Sequence, residues 1–196
     1  MADYSKFTKE RIIARKTALE AGYVNNPNDR GGETNHGITI AVARDYGYRG
    51  SMRDLPKETA LEIYQKLYWD KMRCTELHRI NPLLADRVLD FGINAGTGTA
   101  IKWLQRILNV LNNQAKHWPD ITADGAMGPR TLNAINSLAT RRGHEGVENL
   151  LLALISSQAS HYITISENRA ANETFTYGWL NRIRSEMGAY TDALRG

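Results

Sequence analysis

Segments typical of α-helices follow one another along nearly the whole chain, and Pro or Gly residues mark where many of them begin or end. Pro56, Pro82 and Pro129 each stand at the start of such a segment, where the first helical turn does not need their missing backbone N–H. Gly47 and Gly96 follow the last residues of two others, as expected of a residue that readily adopts positive φ. The spacing of these breaks predicts an all-α protein.

The predicted elements can be placed along the chain from the periodicity of the apolar residues. The helices span residues 6–21, 39–47, 55–72, 81–96, 97–112, 128–143, 145–166 and 173–190. Residues 145–166 are apolar over much of the helix circumference, which predicts a central core helix. Residues 23–26 and 37–40 favour short strands that pair around a Gly-rich loop. The predicted fold class is therefore all-α, or more fully α-rich α+β, with one small β-hairpin.

Composition excludes several kinds of site. Cys74 is the only cysteine, so the chain forms no internal disulfide and no thiolate metal cluster. The five histidines lack the His-Glu-x-x-His spacing of a zinc enzyme, and we expect no metal and no cofactor. The net charge of +4 is divided evenly between the two halves of the chain, and no segment reads as a basic recognition helix. We therefore expect no nucleic-acid partner.

The sequence also lacks the apolar segments that membranes require. No apolar run approaches the roughly 20 residues of a membrane-spanning helix. Residues 1–16 contain no apolar stretch typical of a signal peptide. We therefore expect no membrane insertion and synthesis in the cytoplasm. A monomer is the default expectation for the oligomeric state.

The segment LEAGYVNNPNDRGGETNHGIT, residues 19–39, places two acids in different surroundings. Glu20 stands at the end of a predicted helix beside apolar residues, an environment that keeps a carboxylic acid protonated. Asp29 lies nine residues later in a loop, where water and backbone N–H groups keep a carboxylate ionised. Hydrolysis of a glycosidic bond uses such a pair, one acid to protonate the leaving oxygen and another group to assist the attack. Either residue alone is equally typical of a solvated helix end or a turn.

The same segment resembles the opening of glycoside hydrolase family 108, a muramidase family that includes phage endolysins and toxin-secretion muramidases. That opening reads Glu-Gly-Gly-Tyr-Val-Asn, then Pro, Asp, a Gly-Gly pair, Thr and Gly-Ile-Thr, and this chain departs from it at Ala21, which replaces the first Gly. Further segments resemble the rest of the family, so that the resemblance covers essentially the whole chain: residues 43–71, 89–109, 121–135 and 175–183.

The resemblance implies a lysozyme-like helical fold and an N-acetylmuramidase that cleaves the MurNAc-β-1,4-GlcNAc bond in the glycan strands of peptidoglycan. It makes Glu20 the general acid, and Asp29 and Thr34 the groups that position the attacking water. Phage lysozymes carry a similar helix-end Glu, Asp and Thr, although Thr34 follows Asp29 by five residues, one fewer than in that pattern. The resemblance also implies cleft-lining roles for three residues: Tyr23 stacking on a sugar ring, His36, and Asn94 hydrogen-bonding an N-acetyl group.

The resemblance further divides the chain into two parts. Residues 1–95 would form the lysozyme-like catalytic part, and residues 96–196 a helical peptidoglycan-binding-like part packed into the same compact domain. The turn DGAMGPRT, residues 124–131, resembles a turn of peptidoglycan-binding modules. It either binds the wall or only shapes the loop that precedes a helix.

Two other functions remain open at this point. A lytic transglycosylase needs one catalytic Glu and no water-positioning Asp, because the muramic 6-hydroxyl attacks internally. A non-catalytic peptidoglycan-binding protein would not be expected to retain both Glu20 and Asp29. For the muramidase, we expect synthesis in the cytoplasm of a bacterial host and action on the cell wall in the periplasm after release. A holin or a dedicated export route would provide that release.

Overall fold

The computed structural model describes residues 2–19, 22–25 and 32–195. Within these ranges the chain is mostly helical with a small antiparallel hairpin, which confirms the predicted α-rich fold class. The helices are α1 (Lys9–Leu19), α2 (Ile40–Tyr46), α3 (Lys57–Ile63), α4 (Cys74–Ile80), α5 (Pro82–Ala95), α6 (Thr97–Leu111), α7 (Pro129–Glu167) and α8 (Glu173–Arg195). The strands are β1 (Thr34–Asn35) and β2 (Ile38–Thr39), and 3-10 turns occur at Ser5–Phe7, Met52–Asp54 and Ala170–Asn172.

Side-chain caps fix the starts of two helices. Asn81 Oδ1 accepts hydrogen bonds from the backbone N–H groups of Leu83 at 2.8 Å and Leu84 at 3.1 Å, at the start of α5. Thr39 Oγ1 accepts from the N–H of Val42 at 3.4 Å, at the start of α2. Each cap satisfies backbone donors that have no partner within the first turn of a helix. Both helices therefore begin where the sequence predicts.

Helix α5 is the centre of the fold. It packs against α4, α6 and α7, and every residue from Leu83 to Gly92 is buried. The apolar pattern of residues 145–166 predicted that they form the central helix, and that prediction is wrong. Those residues form the second part of α7, after the backbone leaves the helical conformation at Gly143 (φ 57°, ψ −146°). This part buries one face only, and its other face exposes residues such as Leu152.

The region before α5 differs from the single helix predicted over residues 55–72. Helix α3 continues into a π-helical segment, Tyr64–Asp70, and Arg73 then adopts a positive φ of 51°. The break allows the chain to begin α4, which the sequence analysis did not predict. The buried Trp69 donates its Nε1–H to Thr75 Oγ1 at 2.9 Å and thereby ties the π-helical segment to the start of α4.

The hairpin is formed by residues closer together in the chain than predicted. Strands β1 and β2 are joined by a two-residue turn, His36 and Gly37, with φ values of 50° and 72°. Two positive φ angles are typical of the tight turns that match strand twist. The sequence predicted that residues 23–26 pair with residues 37–40, and this predicted pairing is wrong. Val24 instead lies on the other edge of β1, exchanging two backbone hydrogen bonds of 2.8 Å with Thr34.

The two ends of the described chain meet in the core. Helix α8 packs on α7, and its side chains also reach α1 and α5. The predicted division between residues 95 and 96 stays a prediction. Contacts nevertheless extend across that position, because α5 packs directly on both α6 and α7.

Candidate active site

Two of the predicted site residues lie outside the described ranges, and the other four lie within them. Glu20 and Asp29, the predicted acid and its counterpart, lie outside the described residues, so their roles stay predictions. The structure describes the other predicted site residues, which are Tyr23, Thr34, His36 and Asn94.

Thr34 lies in β1 with its backbone fixed by Val24. Its side chain is half-buried, and its hydroxyl donates to the carbonyl of Gly32 at 3.3 Å. A hydroxyl has one proton to donate and two lone pairs to accept with. Since the proton is directed to Gly32, the Thr34 oxygen presents its lone pairs to a further donor such as water.

The hairpin that carries Thr34 is anchored from two sides. The buried Asn35 donates its Nδ2–H to the carbonyls of Met52 at 2.8 Å and Arg53 at 3.2 Å. On the other side, the Tyr64 hydroxyl donates to the carbonyl of His36 at 3.1 Å. His36 therefore contributes its backbone to the scaffold, through a positive φ and an engaged carbonyl. The predicted cleft-lining role of its ring stays a prediction.

Tyr23 is placed beside the hairpin with one face of its ring covered. The guanidinium of Arg53 lies 4.1 Å from the ring centroid, in cation–π contact. Arg53 also lends its backbone carbonyl to the hairpin anchor, so the two contacts hold Tyr23 and β1 in one unit. A sugar ring could stack only on the opposite face of Tyr23.

Asn94 lies in the last turn of α5 with both ends of its amide engaged. Its Nδ2–H donates to the carbonyl of Asp90 at 2.8 Å. Its Oδ1 accepts from Arg182 Nη1 of α8 at 2.6 Å. These bonds link the end of α5 to α8. The predicted contact of Asn94 with an N-acetyl group stays a prediction, and it would use the remaining amide proton and lone pair.

A group of charged residues, most of them buried, joins α1, α5 and α8 and was not predicted from the sequence. We call it the charge cluster, and its members are Arg15, Lys16, Asp86, Arg87, Asp90 and Glu186. Lys16 Nζ lies 3.5 Å from Asp86 Oδ1 and 2.9 Å from Asp90 Oδ1. Lys16 Nζ also contacts the Glu186 carboxylate, to which Arg87 Nη1 lies at 2.8 Å. Three cations thus face three carboxylates, which offsets the cost of burying each charge.

Neutral donors complete the surroundings of the carboxylates. The Tyr190 hydroxyl donates to Asp86 Oδ2 at 2.6 Å. Gln158 of α7 donates its Nε2–H to Asp90 Oδ2 at 3.1 Å and to the Tyr162 hydroxyl at 2.7 Å. The carboxylates of α5 therefore take partners from α1, α7 and α8 at once.

Burial and neighbouring charges shift the pKa values of three members of the charge cluster, Lys16, Asp90 and Glu186. Burial pushes the pKa of Lys16 down, but three adjacent carboxylates outweigh burial and hold its pKa above the ordinary value. Burial likewise tends to raise the pKa of Asp90, but Lys16 and Arg87 outweigh it and hold that pKa well below the ordinary value. Burial raises the pKa of Glu186.

The charge cluster fixes the end of α1. Lys16 lies one turn before the C-terminal end of α1 at Leu19, the residue that precedes Glu20 in the chain. The sequence contains a signal of the charge cluster. Asp86 and Asp90, one turn apart, interrupt the otherwise apolar sequence of α5, PLLADRVLDFGINA. A buried helix that carries acids at one-turn spacing requires cations from its neighbours.

The turn at residues 124–131 is held from inside by one side chain of α6. Gln105 Nε2 donates to Asp124 Oδ1 at 2.8 Å and to Thr131 Oγ1 at 3.1 Å. Gln105 Oε1 accepts from the N–H of Gly125 at 2.9 Å. These contacts give the turn a structural role in positioning the start of α7.

Within residues 2–19, 22–25 and 32–195, no group of three or more His, Cys, Asp or Glu is arranged to hold a metal ion. Cys74 is buried, and burial raises the pKa of its thiol, so it is a poor nucleophile. No helix in the part of the chain that the structure describes is both long and apolar enough to cross a membrane.

Comparison with known proteins finds similar families for two regions of the chain. Residues 13–96 match the family model described as Glycosyl hydrolase 108, and residues 99–184 match the one described as Predicted Peptidoglycan domain. The solved structure of Brucella abortus SagA is similar with 25% sequence identity and a TM-score of 0.71, over 95% of this chain and 95% of that one. No curated protein shows a significant match. The chain therefore combines a region similar to Glycosyl hydrolase 108 with a region similar to a peptidoglycan domain, and both support a peptidoglycan hydrolase.

Proposed function

We propose that the protein is an N-acetylmuramidase that hydrolyses the MurNAc-β-1,4-GlcNAc bond of peptidoglycan. Glu20 is the general acid, and Asp29 and Thr34 position the attacking water. The observation that carries this proposal is the Glycosyl hydrolase 108 match over residues 13–96, which includes all three residues. The Thr34 hydroxyl supports it, because its proton is directed to Gly32 and its lone pairs can accept from water.

In the proposed reaction, Glu20 donates its proton to the glycosidic oxygen as the bond to the anomeric carbon breaks. Water attacks the anomeric carbon as positive charge develops on the sugar ring. Asp29 and Thr34 accept hydrogen bonds from that water and hold it in line with the breaking bond, and the proton that the water loses passes to the Asp29 carboxylate. The products are two glycan chains, one with a new reducing end on muramic acid.

The charge cluster supports the same assignment. A general acid acts efficiently only when its carboxyl is held within a fraction of an ångström of the leaving oxygen. Lys16, in the last turn of α1, is fixed by buried carboxylates of α5 and α8. These contacts attach the last described turn of α1 to α5 and α8, shortly before Glu20 in the chain.

Substitution of the acid tests the proposal. Glu20→Gln keeps the shape of the side chain but has no proton to donate. We expect it to lower the rate of clearing purified peptidoglycan by about 10²- to 10⁴-fold, the usual contribution of general acid catalysis. Glu10→Gln is the matched control, because Glu10 is exposed on the same helix and should retain the wild-type rate. Clearing at the wild-type rate by Glu20→Gln would overturn the assignment.

Analysis of the products separates hydrolysis from transglycosylation. Mass spectrometry of fragments released by the wild-type protein should show reducing muramic acid ends, each heavier by one water than an anhydro-muramic end. Anhydro ends would show that the muramic 6-hydroxyl is the attacking group and would remove the water-positioning roles of Asp29 and Thr34.

The biological setting we propose is that of a monomeric phage endolysin acting on the wall in the periplasm. The resemblance of residues 19–39 to a family opening that phage endolysins share supports it. Expression in a bacterial host with and without a holin tests this setting. Rapid lysis should require the holin, and equally rapid lysis without it would favour a dedicated export route.

A further inference from the structure

A groove of about 580 Å³ lies between the loop after α6 and the first turns of α7. We call it the α7 groove, and the lining residues that matter here are Trp118, Asp120, Ile121, Arg130, Asn133 and Ser137. All of them lie within residues 99–184, the range that matches the Predicted Peptidoglycan domain. None belongs to the predicted catalytic set.

The loop wall of the groove is fixed by the side chains of Asn109 in α6 and Asn112, the residue that follows α6. Asn109 donates its Nδ2–H to the carbonyl of Ile121 at 2.8 Å and accepts from the N–H of Ile121 at 2.9 Å. Asn112 donates its Nδ2–H to Asp120 Oδ1 at 2.6 Å. The wall is therefore formed before any ligand arrives, which lowers the entropic cost of binding.

The helix wall of the groove offers polar side chains without protein partners. Arg130, Asn133 and Ser137 lie on successive turns of one face of α7. Among the described residues, none of these three side chains makes an ion pair or a hydrogen bond. All three carry N–H or O–H donors, so the helix wall is suited to carboxylates and carbonyl oxygens.

Trp118 gives an independent sign of a ligand. Its side chain is 6% exposed, and its Nε1–H is buried with no hydrogen-bond partner among the described residues. A buried donor without an acceptor is costly and is rare in folded proteins. A ligand acceptor would satisfy it if the loop around the indole opens slightly, because the nitrogen has essentially no accessible surface in this structure. The indole faces are too deeply buried for a sugar ring to stack on them, which disfavours a carbohydrate occupant.

We propose that the α7 groove binds the stem peptide of peptidoglycan, separately from the glycan that the catalytic residues cleave. The inference rests on the proposed action on peptidoglycan. A stem peptide carries carboxylates and amide carbonyls along its length and an ammonium group on its dibasic residue. Arg130, Asn133 and the Trp118 N–H match the acceptors, and the Asp120 carboxylate, at the opposite wall, matches the ammonium group.

Binding at this groove would hold the enzyme on cross-linked wall while the catalytic residues act on the adjoining glycan. Two linked sites raise the effective concentration of the second once the first is occupied. The groove would thereby select peptide-bearing glycan over bare glycan, by lowering KM with little effect on kcat.

Direct binding measurements test the proposal with the full chain. The probes are a synthetic tripeptide of alanine, γ-linked glutamate and diaminopimelate, and glycan strands stripped of peptides by an amidase. Isothermal titration calorimetry gives the affinities. The indole N–H signals in nitrogen–proton correlation spectra report on Trp118, whose resonance is identified by its loss in Trp118→Phe. We expect the tripeptide to bind and to shift that resonance.

Three variants locate the binding. Arg130→Ala should weaken tripeptide binding by about tenfold, because a hydrogen bond to a charged partner is lost. Trp118→Phe keeps an aromatic ring without the N–H and should weaken binding by about threefold or more. Arg141→Ala is the matched control, since Arg141 is exposed on α7 outside the groove. It should bind as the wild type does. Thermal unfolding of each variant checks that the fold is retained.

Other results would overturn the proposal. One is a tripeptide that fails to bind, or that binds Arg130→Ala and Trp118→Phe as tightly as the wild type. Another is binding of bare glycan at the groove with the same loss in both variants, which would assign it to carbohydrate. Either result leaves the proposed muramidase activity intact if the wild type still clears peptidoglycan. Loss of clearing in the wild type with tripeptide binding retained would instead overturn the muramidase proposal alone.

Discussion

The charge cluster and the α7 groove both concentrate polar side chains, yet they differ in how those side chains are engaged. In the cluster, six charged residues contact one another across three helices, and neutral donors from α7 and α8 add further bonds. In the groove, donors on α7 and the Trp118 N–H have no protein partner among the described residues. Polar groups that bond to one another build a scaffold, whereas the α7 side chains that face the open groove are available to a ligand.

The charge cluster also contains polar atoms that lack a hydrogen-bond partner, so it differs from the groove only in degree. Arg15 Nε, Arg87 Nε and Gln158 Oε1 have no hydrogen-bond partner among the described residues, although each side chain is engaged through its other atoms. Trp118 has only one polar side-chain atom, and that atom is the unpartnered one. Location also differs, since Arg87 and Gln158 are fully buried in the core while Trp118 lines a groove.

The largest expected effect is the loss of the cation at the centre of the charge cluster. Lys16→Met fills similar volume but leaves the carboxylates of Asp86, Asp90 and Glu186 with less compensation. We expect the free energy of unfolding to fall by about 3–5 kcal/mol, the usual cost of removing one partner of a buried pair. Urea unfolding followed by circular dichroism measures it. Lys71→Met is the control, because Lys71 is exposed, and an equal effect of both substitutions would refute a special role for the cluster.

A smaller effect is expected from acid. Asp90 has an ordinary pKa of 3.8 and a lower one in the folded protein, so the unfolded chain binds more protons as the pH falls through this range. Its stabilising contribution is complete above about pH 5 and is lost as the pH falls towards the folded pKa. The free energy of unfolding should decline by up to about 1.4 kcal/mol per pH unit for each such proton.

Substitution distinguishes the Asp90 contribution from general acid effects. Thermal or urea unfolding between pH 5 and pH 3 should show a shallower decline in Asp90→Asn than in the wild type. Asp45→Asn, at an exposed position, should keep the wild-type slope. Equal slopes in all three proteins would mean that Asp90 does not carry the acid sensitivity.

The smallest effect on stability is expected in the groove. Asn133 is exposed and its side chain makes no hydrogen bond with the described residues, so Asn133→Ala should change the free energy of unfolding by less than about 0.5 kcal/mol. The same substitution should weaken binding of the stem tripeptide. A large loss of stability in this variant would place the groove among the structural regions and remove the contrast with the charge cluster.

Most of the helices could be predicted because their limits are set by local chemistry. Pro82 opens α5, Gly47 closes α2 in the left-handed conformation, and each acts through its own backbone. Helix α4 was missed because its start depends on the positive φ of Arg73 and on the contact of Trp69 with Thr75, neither of which apolar periodicity reveals.

The central helix was misplaced for a related reason. Residues 145–166 form a longer segment than α5, and their apolar circumference alone led to the prediction of a central helix. Helix α5 is nevertheless fully enclosed between Leu83 and Gly92, because cations from other helices meet its acids. Pairing between helices distant in sequence is a tertiary property. The sequence of one helix cannot supply it, although acids inside an apolar helix are a signal that such pairing exists.

The candidate site was predicted in part. The sequence predicted a small hairpin near the Gly-rich loop, and the structure confirms it but places Thr34 in strand β1, with Val24 at the other edge of that strand. The engagement of Asn94 by Arg182 of α8 could not be predicted, since 88 residues separate them in the chain. The groove could not be predicted either, because open space between a loop and a helix is a property of packing.

The contact of Lys16 in α1 with the Glu186 carboxylate in α8 has a consequence for protein engineering. Two family models meet near residues 96–99, and a designer could take that point as a place to cut or to exchange modules between homologues. Glu186 and Tyr190 of α8, which contact Lys16 and Asp86, would then be separated from their partners. A chimaera joined there would combine charges that were never matched to one another. Productive grafts should therefore transplant α1, α5 and α8 together.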